Sequence, residues 1–317
     1  MTEITTLTTQ QISTLLAPYG ITDIKAVSLL SGGSENTNYK VLANEKYYVL
    51  TICEQKSLQQ SQQLAALLDY LAANNFTSSI LLKTLDNLTI SQWGNKAILV
   101  KTYIEGTIKE DLSPALLHHL GIQLGHLHSL KAPDYLADYV NYGQQKFGLV
   151  KEYAADSEFY QWLLAIQNYI GTFATQNLTR ALIHSDIFCD NVIVAADQKQ
   201  ATIMDFEEAA HYYRIFDIGM MLVGTCCTEQ LFDLDKAGHV LAGYQQNTTL
   251  HTDEIKALQA FTVYAAAATA FWRHRNYHYI NRDQNMLEHY RTMQRLAAQI
   301  KALQAEYFIE QLNLNNS

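Results

Sequence analysis

The sequence predicts an α+β protein of two lobes, a β-rich N-terminal lobe and a mainly helical C-terminal lobe. Three observations carry that expectation. Short runs rich in β-branched and aromatic residues fill the first hundred positions. Helical periodicity dominates from about residue 113 onward. Between the helices lies one polar stretch, "ALIHSDIFCDNVIV" (181–194), that reads as strand, loop, strand. A chain of 317 residues is also long for one simple core, and a division into two lobes is the natural prior.

The elements follow in order. "KAVSLL" (25–30), "TNYKVLA" (37–43) and "KYYVLTI" (46–52) are strand-like, and "ANEK" (43–46) reads as a tight hairpin connection. A helix is expected over 57–74, where Leu58, Leu64, Leu67, Leu68 and Leu71 recur before an Asn-Asn stop. Strands are expected at 79–84, 88–92 and 96–103. After "IEG" (104–106) the character changes, so the lobes are placed at 1–104 and 105–317. Ser113 is the N-cap and Pro114 the first residue of a helix whose apolar positions are Leu116, Leu120, Leu124 and Leu127. A further helix is expected over 156–174, then the stretch quoted above, "ATIMDFEEA" (201–209), and helix to the end.

Composition narrows the class. Apolar residues make up 48% and charged residues 17%, as in ordinary globular proteins. The 22 basic and 31 acidic residues give a net charge of −9, which argues against nucleic acid as a partner. Cys53, Cys189, Cys226 and Cys227 form no CxxC pair, as expected in a reducing cytoplasm. "MTEITTLTTQQ" has neither a basic nor an apolar targeting region, and the apolar run "AFTVYAAAATAFW" (260–272) is too short to span a bilayer. A cytoplasmic protein without a membrane partner is the expectation.

The quoted stretch sets His184, Asp186, Asp190 and Asn191 beside Ile183, Val192, Ile193 and Val194. Polar groups among buried apolar ones cost free energy unless bonded or used chemically. Asp186 and Asn191 are five apart, and Asp205 of "IMDF" follows fourteen later. Phosphoryl transfer needs a carboxylate to orient a hydroxyl and hard oxygen donors for Mg²⁺, and this spacing supplies both. A glycine-bearing turn, Ser31-Gly32-Gly33-Ser34, lies between two strand candidates and would let backbone N–H groups approach phosphates. Taken alone, it reads better as an ordinary hairpin; placed first in a β-rich lobe ahead of the Asp loop, it reads as the nucleotide-covering loop.

"LIHSDIFCDNVIV…ATIMDFEEA…YRIFDIGMML" resembles the aminoglycoside-phosphotransferase and choline-kinase superfamily, whose fold is protein-kinase-like. The resemblance implies that Asp186 is the catalytic base, that His184 supports it within the catalytic set, that Asn191 and Asp205 bind Mg²⁺, and that Asp217 buttresses the loop. "SENTNYKV…YYVLTICE", "TYIEG" (102–106), "LGHLHSL" (124–130), "LAGYQQ" (241–246) and "AFWRHRNYHY" (270–279) are similar to homoserine kinases of that type. ATP is then the nucleotide, held by Ser31, Gly32, Gly33, Ser34, Asn36, Thr51, Lys101, Tyr103 and Ile104.

The sequence also departs from the family. Thr51 stands where most members carry a phosphate-holding Lys or Arg, with Lys46, Lys56 and Lys101 as substitutes to choose among. Glu207 and Glu208 follow the metal aspartate, where homoserine kinases have an aromatic-rich segment, and would suit an amine. Arg273 would suit a carboxylate, and Tyr212 either lines the substrate pocket or packs. The expected acceptor is homoserine, with choline, ethanolamine, another amino alcohol or an antibiotic next. A non-catalytic nucleotide-binding module is the alternative from another class.

Overall fold

A computed structural model of the chain describes residues 5–30, 36–174 and 177–314. Ser31, Gly32, Gly33 and Ser34, assigned above to the nucleotide, lie outside the described residues. The chain divides into two units, 1–105 and 106–317.

The N-terminal unit begins with helix α1 (Thr9–Leu16), which the sequence reading passed over. Thr8 and Gln11 form a reciprocal capping box at its start, a device worth about 1 kcal/mol. Strands β1 (Ile24–Leu29), β2 (Asn36–Ala43) and β3 (Lys46–Cys53) follow. The β2–β3 hairpin closes on Asn44 and Glu45, at φ 48° and 60°, the left-handed pair that a two-residue turn between twisted strands requires. Helix α2 (Leu58–Ala73) is capped by Ser57 with Gln60 and is followed by Asn75 at φ 57°. Strands β4 (Ser91–Trp93) and β5 (Lys96–Thr102) complete an antiparallel sheet in the order β1-β2-β3-β5-β4.

Two expected strands are corrected. Over 79–84 only Leu81 forms a bridge, to Lys101, and pairing near 88–92 shifts to Ser91–Trp93. Around that bridge Leu82 N–H donates to the Val100 carbonyl and Thr102 N–H to that of Ile80, both at 2.8 Å, and a tight turn then ends the pairing. Thr84 N–H donates to the Leu88 carbonyl at 2.9 Å and Asn87 N–H to that of Thr84 at 2.8 Å, so these groups are not available to a ladder.

The two faces of the sheet differ. Tyr39, Val41, Ala43, Tyr48, Leu50, Ile52, Ile98 and Val100 meet Ile12, Leu15, Leu16, Tyr19 and Ile21 in one core. The opposite face carries Asn36, Asn38 and Lys40 of β2, Thr51 of β3 and Lys101 of β5, as the register Asn38↔Thr51, Lys40↔Val49↔Lys101 dictates.

The C-terminal unit holds α3 (Pro114–Ser129), α4 (Lys151–Ala154) and α5 (Glu158–Gly171). Three small two-stranded sheets are built from β6 (Arg180–Ile183) with β9 (Ala210–Tyr213), β7 (Val192–Val194) with β8 (Ala201–Ile203), and β10 (Cys227–Thr228) with β11 (Leu231–Phe232). Helices α6 (Arg214–Thr225), α7 (Leu234–Tyr244), α8 (Thr252–Arg275), α9 (Tyr290–Ala302) and α10 (Ala305–Gln311) surround them, and α8 ends in a π-helical turn, Asn276–Ile280. Among the described residues no helix is long and apolar enough to cross a membrane. At the start of α6, Arg214 makes a buried two-pronged pair with Glu254 of α8, Nε to Oε1 at 2.7 Å and Nη2 to Oε2 at 2.5 Å.

Candidate active site

Strand β6 ends at Ile183 and β7 begins at Val192, so residues 184–191 form the connecting loop. Pairing of β6 with β9 and of β7 with β8 anchors both ends of this loop and both ends of 204–209. The two segments are tied directly, because Met204 N–H donates to the Asn191 carbonyl at 3.0 Å. Asp186, Asn191 and Asp205 are thereby gathered by strand pairing, although fourteen residues separate the two metal candidates.

Asp217 lies fully buried on α6. Its Oδ2 accepts from the His184 N–H at 2.7 Å and its Oδ1 from the Ser185 N–H at 2.6 Å. His128 Nε2 meets the same Oδ2 at 3.1 Å, and His128 Nδ1 meets the Tyr244 hydroxyl at 3.0 Å. A buried carboxylate with several donors is stable where a bare one is not. These bonds hold Ser185 at φ 70°, a strained conformation for a residue with a Cβ. Gly224 of α6 also lies against the loop, since a Cβ there would sit 2.9 Å from Phe188 Cα.

His184 has no exposed surface. Its Nε2 meets the Met204 carbonyl at 2.9 Å, and its Nδ1 accepts the Asp186 N–H at 3.2 Å. Burial pulls its pKa below the ordinary value against the opposing charge of Asp217, so the ring is neutral, as an accepting Nδ1 requires. In these contacts His184 bonds backbone groups, on Met204 and Asp186.

Asn191 Nδ2 donates to the Asp186 carbonyl at 2.8 Å and to Asp186 Oδ2 at 3.1 Å. Both bonds use the amide nitrogen, which turns the amide oxygen away from Asp186. Asp205 is exposed and sits at φ 67°. An amide oxygen and a carboxylate are the hard donors that Mg²⁺ shares with phosphate oxygens, and such sites need few protein ligands. Among the described residues no cluster of three His, Cys, Asp or Glu could hold a metal ion.

The proposed substrate residues separate into two groups. Glu207 and Glu208 are half-buried, and Glu208 Oε2 accepts from Asn141 Nδ2 at 3.0 Å. Arg273 is half-buried, donates from Nη1 to Thr292 Oγ1 at 2.9 Å, and lies within electrostatic reach of Asp190 and Asp186. Burial lowers its pKa, with Tyr277, Asp190 and Asp186 opposing. Tyr212 is 1% exposed, receives Gln145 Nε2 at 3.3 Å and packs on Tyr213 and Phe216. These contacts fit the packing alternative for Tyr212.

On the N-terminal sheet face, Thr51 Oγ1 donates to Asn38 Oδ1 at 2.7 Å. Lys101 shares that face. Lys40 Nζ is held over the rings of Tyr47 and Tyr103, 4.2 and 3.9 Å from their centroids, while the Tyr103 N–H donates to the Tyr47 carbonyl at 3.2 Å. Ile104 follows, half-buried. Nothing local separates Lys40 from a solvated surface lysine, and His128 stands in a helical run with His118, His119 and His126. Its spacing of four and eight from Leu124 and Leu120 marks the buried stripe and could have found it.

Residues 26–258 match the profile of the phosphotransferase enzyme family, APH. The homoserine kinase of Methylobacillus flagellatus is 24% identical over 230 residues, spanning 71% of this chain and 72% of that protein. The structure of an amicoumacin kinase in complex with AMP-PNP and Ca²⁺ matches with a TM-score of 0.73 at 15% identity, over 95% of this chain and 97% of that one. A microcompartment-associated aminopropanol kinase matches with a TM-score of 0.69 at 16% identity, over 98% and 100%. These likenesses bear out the protein-kinase-like α+β fold.

Proposed function

The chain belongs to the phosphotransferase enzyme family, and from that premise we propose that it is an ATP- and Mg²⁺-dependent kinase acting on the hydroxyl of a small metabolite, with homoserine as acceptor. The observation that supports the reading is the Asn191 amide, which holds the carbonyl and carboxylate of Asp186 with its nitrogen and so leaves its oxygen to act as a cation donor. A general base and a cation site are thus set by one side chain.

In this reading Asp186 accepts the proton of the acceptor hydroxyl and aligns its oxygen with the γ-phosphorus. The new P–O bond forms as the bond to the β,γ-bridging oxygen breaks. Asn191 and Asp205 would hold the cation, which supplies positive charge to the nucleotide phosphates. The N-terminal sheet face would take the nucleotide through Asn36, Thr51, Lys101, Tyr103 and Ile104. Arg273, half-buried and bonded to a neutral threonine, would take the carboxylate of homoserine, and Glu207 and Glu208 its ammonium. The relatedness to a homoserine kinase supports the same acceptor. A second reading, an amino alcohol, is favoured by the acidic pair Glu207 and Glu208 and by the likeness to an aminopropanol kinase.

The test is Mg-ATP-dependent ADP release against homoserine, serine, choline, ethanolamine, aminopropanol and an aminoglycoside. Homoserine should stimulate release. Asp186→Ala should lower kcat by about 10³-fold while ATP binding persists. Arg273→Ala should raise the homoserine KM by at least about 10-fold. Stimulation by an amino alcohol alone would move the acceptor to the second reading. Near-normal turnover by Asp186→Ala would sink the kinase assignment, and ATP binding indifferent to Mg²⁺ would favour a non-catalytic module.

A further inference from the structure

One grip on the loop comes from a segment with no recognisable motif. Residues 137–142 cross the irregular stretch between α3 and α4. The strap is anchored: His211 N–H donates to the Ala137 carbonyl at 2.8 Å, and Arg180 Nη2 to that of Asp138 at 2.6 Å. At its end Tyr142 is 7% exposed, and its hydroxyl donates to the Ser185 carbonyl.

That carbonyl belongs to the same peptide plane as the Asp186 N–H, which donates to His184 Nδ1. The plane is rigid, and it is held at both ends: the oxygen by Tyr142, the N–H by His184. Ser185 is otherwise fixed by its N–H on Asp217 and by its Oγ, which donates to the Glu208 carbonyl at 2.7 Å. None of these other bonds restrains the Ser185 oxygen. Rotation about the Ser185 Cα–C bond would swing this oxygen and the Cα of Asp186 together, and with the latter the carboxylate.

We propose that Tyr142 is a positioning residue for phosphoryl transfer: its phenol locks the Ser185–Asp186 peptide plane and so aims Asp186 at the acceptor hydroxyl. The inference rests on the role proposed above for Asp186. Burial, followed by the charge of Asp186, pushes the phenol's pKa well above its ordinary value, so it remains a donor across the physiological range.

The test compares wild type, Tyr142→Phe and Asp186→Asn in the ADP-release assay with the stimulating acceptor. Tyr142→Phe keeps the ring and removes only the donor. Its kcat should fall about 10- to 100-fold, the scale of a small misplacement, with both KM values within about twofold of wild type and melting temperature nearly unchanged. Wild-type kcat in Tyr142→Phe, with Asp186→Asn inactive, would overturn the role of Tyr142 and leave the kinase reading standing. So would a rise in KM or a fall in melting temperature without loss of kcat. Normal turnover by Asp186→Asn, or no acceptor at all, would overturn both. Site-specific 3-fluorotyrosine at 142 restores ring and donor together, and should hold kcat within about threefold. A loss as deep as that of phenylalanine would overturn the proposal, and this variant serves equally if Tyr142→Phe fails to fold.

Discussion

The loop of the C-terminal unit and the polar sheet face of the N-terminal unit are built on opposite plans. Around residues 184–186, side chains from α6, from the 137–142 strap and from the loop itself bond the backbone: Asp217 takes two N–H groups, His184 one, and Tyr142 a carbonyl. On the sheet face, side chains bond or stack on each other: Thr51 on Asn38, Lys40 on two tyrosines. Backbone there is already fixed by the ladder. A loop in strained conformation must be held from outside, whereas a strand is held by its neighbours and leaves its side chains replaceable. That difference predicts that Thr51 can be replaced without disturbing the strand.

Substitutions can break the comparison. Asp217→Asn should have the largest effect, because an amide has one acceptor for donors that now use two carboxylate oxygens. Loss of about 3 kcal/mol in urea unfolding is expected, with kcat down about 100-fold. If stability fell but kcat held, the loop would not depend on its buried carboxylate. Thr51→Ala should cost only about 1 kcal/mol and move the ATP KM by less than about threefold. A larger KM change would mean that the sheet face is as tightly specified as the loop.

The smallest effect sharpens the comparison within the C-terminal unit. His274 stacks between Phe159 and His278 and meets the Tyr153 hydroxyl at 2.9 Å. Burial first, then His278 and Arg291, lowers its pKa from 6.5 to about 3. A depressed pKa means that the unfolded chain binds the proton more readily. The stability contribution is therefore complete above 6.5 and is lost as pH falls toward 3. Melting temperature should decline over that window, and less steeply in His274→Phe. Equal slopes would remove His274 as the cause.

The same contrast explains what could be read in advance. The strand-loop-strand stretch, the hairpin at Asn44-Glu45 and the caps at Ser57 and Ser113 are local, and their signals lie within a few neighbouring residues. Asp186, Asn191, Asp205 and Asp217 were legible because a family resemblance preserves their spacing. Tyr142 was not, because its partner lies 43 residues away and nothing local marks it; for His128 the stripe with Leu120 and Leu124 signals burial, but its partner, 89 residues away, has no local sign. Glu254 was hidden in the same way, forty residues from Arg214. The strand expected at 79–84 is shortened to a bridge at Leu81, because the turn at Asn87 engages the backbone of Thr84.

The apolar cover of the N-terminal sheet bears on synthesis. Residues 7–21, which seal that face, precede every strand they cover. During translation the cover leaves the ribosome before the sheet does. Each emerging strand thus meets a waiting amphipathic partner rather than a neighbouring chain. A deletion taking these residues would strip a contiguous apolar surface from an otherwise intact sheet, and the product would face self-association before any question of catalysis arose.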